Sequence, residues 1–204
     1  SIQTFDFNQN TEAKEAKSLL GEVKNIFHNQ LKSTTGAQAF KYLTEKRKLS
    51  KEVIEVFEIG FSPKEGDFLL SYLPDKIEAL IKLGLVGKRD GGDFYNPFAD
   101  RIMFPIHDIK GEVVGFGGRI YKKEQEEGKL AKYVNSKESD AFKKNQIIYG
   151  LERLKKYTFP PILVEGYLDV ITMHQFGFKS TVAQMGTALS ELQIKTLFSK
   201  GDEI

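Results

Sequence analysis

The pattern that most restricts the fold of this chain lies near its carboxyl end, where strand-like and helix-like segments alternate. Residues 161–165 and 180–183 are short apolar runs that predict strands. Residues 169–176 and 188–198 carry apolar side chains at helical spacing and predict helices. Strands that alternate with helices pair in parallel through right-handed crossovers. Because a parallel sheet of two strands is not stable alone, we expect the chain to be cut inside an α/β domain.

The residues before this pattern predict an α+β lobe. Residues 12–31 carry one apolar stripe at helical spacing, and Ser50 is placed to cap another helix. Residues 101–107 and 112–116 are rich in β-forming side chains, and the short loop between them contains Gly111, which predicts a hairpin. The fold class predicted for the whole chain is therefore α/β.

A polar connection and one further strand complete the predicted lobe. Residues 119–131 are charged and predict a mobile connection, and residues 132–135 predict a short strand. The composition changes near the paired lysines and prolines of residues 155–161. We therefore predict two domains, residues 1–155 and residues 156–204.

Composition excludes several classes of protein. The chain has no cysteine, which excludes disulfides, thiol catalysis and a cysteine zinc site within it. We expect no transmembrane helix, because no run of ~18 apolar residues occurs. We expect no signal peptide, because the first residues are not a charged region followed by an apolar one. These features favour a cytoplasmic enzyme.

Charge is distributed unevenly along the chain. Residues 101–160 carry 13 basic and 8 acidic side chains, whereas residues 161–204 carry 3 and 5. A basic middle segment followed by an acidic C-terminal segment is typical of a surface that binds a polyanion next to a metal site. Compositional bias explains the excess equally well, since 25 of the 30 basic residues are lysine.

Two carboxylates at the start of the α/β part are candidates for chemistry. Glu165 ends the first predicted strand, where open α/β sheets bind their ligands. Gly166 permits a sharp turn, and Asp169 follows one helical turn later. Such a pair can hold Mg²⁺, with waters and phosphates as the other ligands. On spacing alone, an exposed strand-end glutamate and an aspartate favoured by the helix dipole remain the commoner explanation.

The residues around Glu165 resemble a known motif. The run Val-Glu-Gly-Tyr-Leu-Asp-Val at residues 164–170 closely resembles the first motif of the Toprim domain in bacterial DNA primases. Gln-Met-Gly-Thr at residues 184–187 resembles the Gly-Thr that follows the second strand of those enzymes. Further segments resemble primase motifs in the right order, at residues 101–108, 115–119, 132–136, 142–144 and 148–151. The ordered set is far more specific than Glu-Gly-x-x-Asp alone.

The resemblance implies a fragment of the RNA-polymerase core of a bacterial DNA primase, made of the N-terminal lobe and the first half of a Toprim fold. Such enzymes synthesise short RNA primers from ribonucleoside triphosphates on single-stranded DNA, with Mg²⁺ or Mn²⁺. Glu165 would be the catalytic glutamate, and Glu165 and Asp169 would be metal ligands. The remaining carboxylates would follow residue 204, so we expect this chain alone to be inactive. Asp202 and Glu203 are interpreted as turn residues before the next strand.

The resemblance also implies which residues contact DNA or nucleotide: Arg101, Arg119, Lys132, Asn135 and Lys144. For Arg119 the structural alternative is an exposed arginine beside a glycine-rich bulge, and for Arg101 it is an arginine that only flanks a strand. For Lys132, Asn135 and Lys144 it is a solvated, lysine-rich face. Three aromatic residues, Tyr133, Phe142 and Tyr149, interleave with the lysines. Such residues can stack on bases, but they are core residues more often.

Partners follow from the same resemblance. A replicative helicase would bind through a C-terminal segment outside these residues, and a cysteine-containing zinc module would also lie outside them, so no zinc is expected on this chain. The protein would act at the primosome in the cytoplasm. Two alternatives stay open: another Toprim enzyme such as a nuclease, and a non-catalytic module that binds single-stranded DNA.

Overall fold

The computed structural model describes residues 7–139, 142–154, 160–185 and 189–202. Its α-helices are α1 (Phe7–Leu31), α2 (Ala37–Lys41), α3 (Lys51–Val56), α4 (Phe68–Tyr72), α5 (Ile77–Lys82), α6 (Lys123–Glu127), α7 (Tyr167–Gln175) and α8 (Glu191–Asp202). A π-helix spans Tyr42–Lys46, and 3₁₀ turns span Pro74–Lys76 and Leu151–Arg153. Among the described helices, none has both the length and the apolar character that crossing a membrane requires.

The strands form three sheets. They are β1 (Gly60–Ser62), β2 (Gly87–Lys88), β3 (Phe94–Tyr95), β4 (Arg101–His107), β5 (Val113–Arg119), β6 (Tyr133–Asn135), β7 (Ile148–Tyr149), β8 (Ile162–Val164) and β9 (Thr181–Gln184). The largest sheet has the order β1-β4-β5-β6 with antiparallel pairs, and β4 and β5 form the predicted hairpin. β2 and β3 form a separate two-stranded ribbon.

The four-stranded sheet separates two hydrophobic cores, because successive side chains of a strand point to opposite faces. On one face, Met103 and Phe116 pack against α1, where the Phe116 ring meets the edge of Phe27 at 5.3 Å between centroids. On the other face, Phe104 packs against residues of α7. The apolar stripe predicted for residues 12–31 is therefore the face that α1 buries.

The three-stranded sheet confirms the predicted parallel pairing. β8 and β9 are parallel, with Leu163 beside Val182, and α7 connects them. The third strand, β7, pairs antiparallel with β9 and precedes the proposed boundary at residue 155. The third strand of this sheet therefore belongs to the segment predicted as the first domain, residues 1–155.

Two segments contain helix that the sequence patterns do not predict. The connection at residues 119–131 contains α6, because the buried Gln125 anchors it: its amide oxygen accepts from the backbone of Tyr121, and its amide nitrogen donates to the carbonyl of Asp100 at 2.7 Å. Asp202 is the last residue of α8 and not a turn residue. Gly201 costs a helix only ~1 kcal/mol and does not end it, and Glu203 lies outside the described residues.

Candidate functional site

The turn from β8 to α7 carries both predicted carboxylates. β8 ends at Val164 and α7 begins at Tyr167, so Glu165 lies in the turn and Asp169 in the first turn of the helix. Both side chains are exposed. An Asp169 carboxylate oxygen lies 3.4 Å from where a Cβ on Gly166 would be, so this carboxylate folds back over the turn. Neither forms an ion pair with another residue of the described ranges. We call Glu165 and Asp169 the acidic corner.

Tyr167 joins the acidic corner to the four-stranded sheet. Its hydroxyl donates a hydrogen bond to Asn135 Oδ1 at 2.6 Å. Its ring lies parallel to Phe104 at 5.3 Å between centroids and meets Tyr149 edge-on at 4.7 Å. Burial raises the pKa of the Tyr167 hydroxyl far above its ordinary value, so this group stays a neutral donor. Asn135, on β6, is thereby placed beside the helix that carries Asp169.

Gly117 makes room for this contact. It lies opposite Phe104 on one side and Asn135 on the other, and a Cβ there would lie 2.5 Å from the Tyr167 ring. A larger residue would displace the ring. At this position, ring packing therefore accounts for the glycine of the Gly-Phe-Gly-Gly run, and the irregularity of the hairpin lies elsewhere, between Ile106 and His107.

Arg119 is buried and held by aromatic hydroxyls. Its Nε donates to the Tyr133 hydroxyl at 3.0 Å, and its Nη1 donates to the Ile120 carbonyl at 2.8 Å and to the Tyr42 hydroxyl. Its guanidinium carbon lies 5.2 Å from the Tyr42 ring centroid and 5.5 Å from that of Tyr133. No carboxylate of the described residues pairs with it. The structural alternative, an exposed arginine beside a bulge, does not hold, because only 3 % of the residue is exposed.

Tyr42 and Arg47 are residues of this site that the sequence did not indicate. Tyr42 begins the π-helix, and Arg47 Nε donates to its hydroxyl at 2.8 Å. In an α-helix, residues five apart point ~140° away from each other, since each residue advances ~100°. The wider π turn, closed by the bond from Arg47 N to Tyr42 O at 3.0 Å, brings both side chains to one side. Helical periodicity carries no signal for such a turn, so the sequence does not predict that Tyr42 and Arg47 meet.

Tyr133 lies between the arginines and the acidic corner. Burial raises the pKa of its hydroxyl; the charges of Arg119 and Arg47 lower it, and the Asp169 carboxylate raises it. The same hydroxyl therefore experiences both sets of charges. About a third of Tyr133 is exposed, whereas Phe142 and Tyr149 are buried in the core.

Arg101 lies on the other face of the sheet from Arg119. Ile102 is the residue directly opposite Arg119 in the register, so its neighbour Arg101 points away. The Arg101 guanidinium donates to the Ala131 carbonyl at 2.9 Å, and burial lowers its pKa. The exposed Lys132 follows Ala131 directly.

Lys144 is tied to α8 through its backbone. Its carbonyl accepts a hydrogen bond from Gln193 at 2.9 Å, and its amide donates to a Glu138 carboxylate oxygen at 3.0 Å. The side chain is half-buried. The structure thus brings Glu165, Asp169, Asn135 and Arg119 to one region through Tyr167 and Tyr133, but not Arg101. The Gly-Thr pair at residues 186–187 lies outside the described residues.

Metal-ligand geometry is incomplete within the described part of the chain. No group of three or more His, Cys, Asp or Glu side chains there is close enough to hold a metal ion. The acidic corner alone offers two carboxylates, which fall short of the six oxygen ligands of Mg²⁺.

Comparison with known proteins identifies two family regions. Residues 26–155 match the family model of the DNA primase catalytic core, N-terminal domain. Residues 161–204 match the Toprim domain.

Curated relatives are much longer than this chain. The DNA primase of Rickettsia conorii is 40 % identical over 199 residues, which cover 95 % of this chain and 32 % of the relative. The DNA primase of Helicobacter pylori is 39 % identical over 193 residues, covering 93 % of this chain and 33 % of the relative. The chain therefore spans about a third of the length of the relatives it matches.

Solved structures agree with the family models. A DnaG primase catalytic domain bound to single-stranded DNA superposes with a TM-score of 0.83 at 34 % identity, covering 94 % of this chain and 62 % of that one. The E. coli primase catalytic core superposes with a TM-score of 0.81 at 36 % identity, covering 90 % and 59 %. The fold, the ordered motifs and these matches together show that the chain belongs to the DNA primase family, as part of its catalytic core.

Proposed function

We propose that this chain forms the part of a primase that binds template and nucleotide phosphates and supplies two metal-ligating carboxylates for RNA primer synthesis. One observation carries the proposal: Tyr167, inside the Glu-Gly-x-x-Asp motif, bonds Asn135 and packs on Tyr133, which holds Arg119. The tyrosines thereby connect an acidic corner to an arginine on a neighbouring sheet. Metal-dependent nucleotidyl transfer needs both charges, because cations hold the phosphates and carboxylates hold the metal.

The acidic corner fits a divalent metal. Glu165 and Asp169 are exposed, lie one helical turn apart and have no ion-pair partner in the described ranges, and carboxylate oxygens are the ligands that Mg²⁺ and Mn²⁺ prefer. When bound there, the metal would lower the pKa of the primer 3′-hydroxyl and neutralise triphosphate charge. Glu165 is in addition the proposed catalytic residue that moves the proton. Phosphates, waters and carboxylates of a longer protein would complete the ligand set.

Arg119, Asn135 and Lys132 are the proposed phosphate and nucleotide contacts of the N-terminal lobe. Arginine grips phosphate through parallel N–H bonds, and Arg119 lacks a carboxylate partner among the described residues. We assign Arg101 the task of fixing Ala131, and with it the exposed Lys132. Lys144 is proposed to contact DNA from the edge next to α8.

The activity of the whole protein follows as a proposal. It would join ribonucleoside triphosphates on single-stranded DNA and bind a replicative helicase through another segment, in the cytoplasm. Residues 1–155 would bind DNA and nucleotide, and residues 156–204 would begin the metal-binding domain. The relative bound to single-stranded DNA supports the template; helicase and location rest on the resemblance alone.

The test uses the full-length primase that carries these residues, with single-stranded DNA, labelled ribonucleotides and Mg²⁺. Wild type should yield short template-dependent RNA. Glu165→Gln should abolish the product while the Kd for template stays within about twofold. Glu126→Gln, which neutralises an exposed glutamate on α6, is the matched control and should synthesise normally.

Other outcomes point to other functions. Degraded DNA without RNA would assign a Toprim nuclease. Template binding that is insensitive to Glu165→Gln, with neither reaction, would assign a binding module. Clean primer synthesis by the 204-residue chain itself would contradict the proposal that it holds only part of the metal site.

A further inference from the structure

The hydroxyl of Tyr42 accepts hydrogen bonds from two arginines that belong to different elements. Arg47, just after the π-helix, donates through Nε at 2.8 Å, and Arg119, at the end of β5, donates through Nη1. A tyrosine hydroxyl has two acceptor lone pairs, so this one group accommodates both guanidinium ions. Only 9 % of Tyr42 is exposed, which means that its neighbours fix its position.

The ring of Tyr42 attracts the same cations. Its centroid lies 5.2 Å from the guanidinium carbon of Arg119, and 5.5 Å from that of Arg47 and from Lys46 Nζ. Each such contact stabilises a cation by ~0.5–2 kcal/mol. The Tyr42 ring also packs edge-to-face with Tyr121, at 6.0 Å between centroids. The ring and the hydroxyl of Tyr42 thus gather positive charge at one place.

This charge has no acidic partner within the described residues. Neither Arg47 nor Arg119 forms an ion pair there. Two guanidinium ions on one hydroxyl repel each other, and in a partly buried site that repulsion is screened less than in water. An anion between them would remove the repulsion.

The donors that remain match a phosphate. A guanidinium has five N–H groups. Arg119 uses Nε and Nη1 for Tyr133, Tyr42 and Ile120, and its Nη2 forms no hydrogen bond with a described residue. Arg47 is exposed and uses Nε alone. Arg47 therefore keeps the N–H groups of both Nη atoms, a fork of the kind that grips phosphate, and Arg119 keeps the two N–H groups of Nη2.

We infer that Tyr42 is a positioning residue that orients Arg47 and Arg119 as a pair for one phosphate group. The inference rests on the proposed function. The phosphate belongs either to the template strand or to the incoming nucleotide, and the shared chemistry is a phosphate monoanion or polyanion. Tyr42 acts through the arginines and does not itself touch the phosphate.

The first arm of the test measures template binding by Tyr42→Phe, which keeps the ring and removes the hydroxyl. Fluorescence anisotropy of a labelled single-stranded oligonucleotide with the 204-residue chain gives the Kd at several salt concentrations. If the phosphate belongs to the template, the Kd should rise by about 3–10-fold. The slope of log K against log salt should then fall by ~0.7 for each phosphate that the variant no longer neutralises.

The second arm measures the KM for ribonucleoside triphosphates with the full-length primase. If the phosphate belongs to the nucleotide, the KM should rise by about 3–10-fold while the DNA Kd stays unchanged. Tyr121→Phe is the matched control: it removes a hydroxyl bonded to Asp100, next to Tyr42, that touches no arginine. It should leave both constants unchanged.

A double-mutant cycle separates positioning from a purely structural role. In an Arg119→Gln, Arg47→Gln background, Tyr42→Phe should change the affected constant by less than about 1.5-fold. The exposed Arg47→Gln alone should weaken binding without disturbing the core, so the pair can be tested even if Tyr42→Phe folds poorly. The inference is overturned if Tyr42→Phe matches Tyr121→Phe in both arms, or if its effect persists without the arginines. If Arg119→Gln alone affects neither constant, the proposed phosphate role of Arg119 fails instead.

Discussion

The Tyr167 hydroxyl donates to Asn135 Oδ1 at 2.6 Å, and this bond joins the α7 helix to the last strand of the four-stranded sheet. Tyr167 lies between Glu165 and Asp169, whereas Asn135 lies two residues from Tyr133 on the same face of β6. The relative position of the acidic corner and Arg119 therefore depends on a contact between residues that are 32 positions apart.

Tyr167→Phe tests this bond directly. The variant keeps the ring packing on Phe104 and leaves Asn135 Oδ1 without its donor, so we expect the free energy of unfolding to fall by ~1 kcal/mol. Urea unfolding measures the loss. In an Asn135→Ala background the same change should cost much less, and equal losses in the two backgrounds would show that the bond contributes nothing.

Gly117→Ala should separate α7 from the sheet. The added Cβ would lie 2.5 Å from the Tyr167 ring, and relieving such an overlap costs ~1–3 kcal/mol. Gly91→Ala is the control, because nothing lies within 4 Å of a Cβ at that position. Thermal unfolding should show a lower Tm for Gly117→Ala only; a Tm equal to that of Gly91→Ala would contradict the packing argument.

Gly21→Ala should stabilise the chain. Gly21 lies inside α1, and nothing lies within 4 Å of a Cβ placed there. Alanine is favoured over glycine in a helix interior by ~0.8–1 kcal/mol, so the urea midpoint should rise. Gly36→Ala is the contrasting variant, because its Cβ would lie 2.2 Å from the Gln30 carbonyl oxygen. This substitution should lower the urea midpoint. A lower midpoint for Gly21→Ala would refute the prediction.

A buried pair, His107 and Glu152, should give opposing pH dependences. Burial, with the charges of Arg153 and Lys24, lowers the pKa of His107 to about 4. Burial raises the pKa of Glu152 to about 7 although Arg153 Nε lies 3.1 Å from its carboxylate. At pH values between its lowered and its ordinary pKa, His107 is protonated in the unfolded chain and neutral in the folded chain. At pH values between its ordinary and its raised pKa, Glu152 is protonated in the folded chain and ionised in the unfolded chain. Stability therefore rises with pH through the His107 window and falls through the Glu152 window.

Glu152→Gln removes the titration of Glu152 and so separates its effect on stability from that of His107. The variant resembles the protonated carboxyl, so its stability should be close to that of wild type at pH 5 and greater by ~1–3 kcal/mol at pH 8. Urea midpoints at both values measure this difference, and Glu126→Gln is the exposed control. A difference between variant and wild type that is the same at pH 5 and pH 8 would falsify the shifted pKa of Glu152.

The sequence predicted those features that depend on neighbours along the chain. Hydrophobic spacing identified α1 and the β4–β5 hairpin, and the Ser50 cap is present because the hydroxyl accepts from Val53 N at 3.2 Å. Glu165 and Asp169 lie at the strand–helix turn that the motif predicted. Their roles in metal binding and catalysis stay predictions, as do those of the residues assigned to DNA or nucleotide, among which Arg101 is proposed to act by fixing Ala131 and Lys132.

Only the tertiary structure decided which of these residues meet. Alternation along β4 and β5 places Arg101 and Arg119 on opposite faces, which a motif match does not reveal until the register is known. The π turn that brings Arg47 to Tyr42 depends on local backbone geometry that apolar spacing does not encode. The sequence by itself determined α1, the β4–β5 hairpin, the parallel strands β8 and β9 and the acidic corner, since these arise from local propensity and hydrophobic periodicity. The partners of Arg119 and Tyr167 were decided by long-range packing, because their contacts join separate elements.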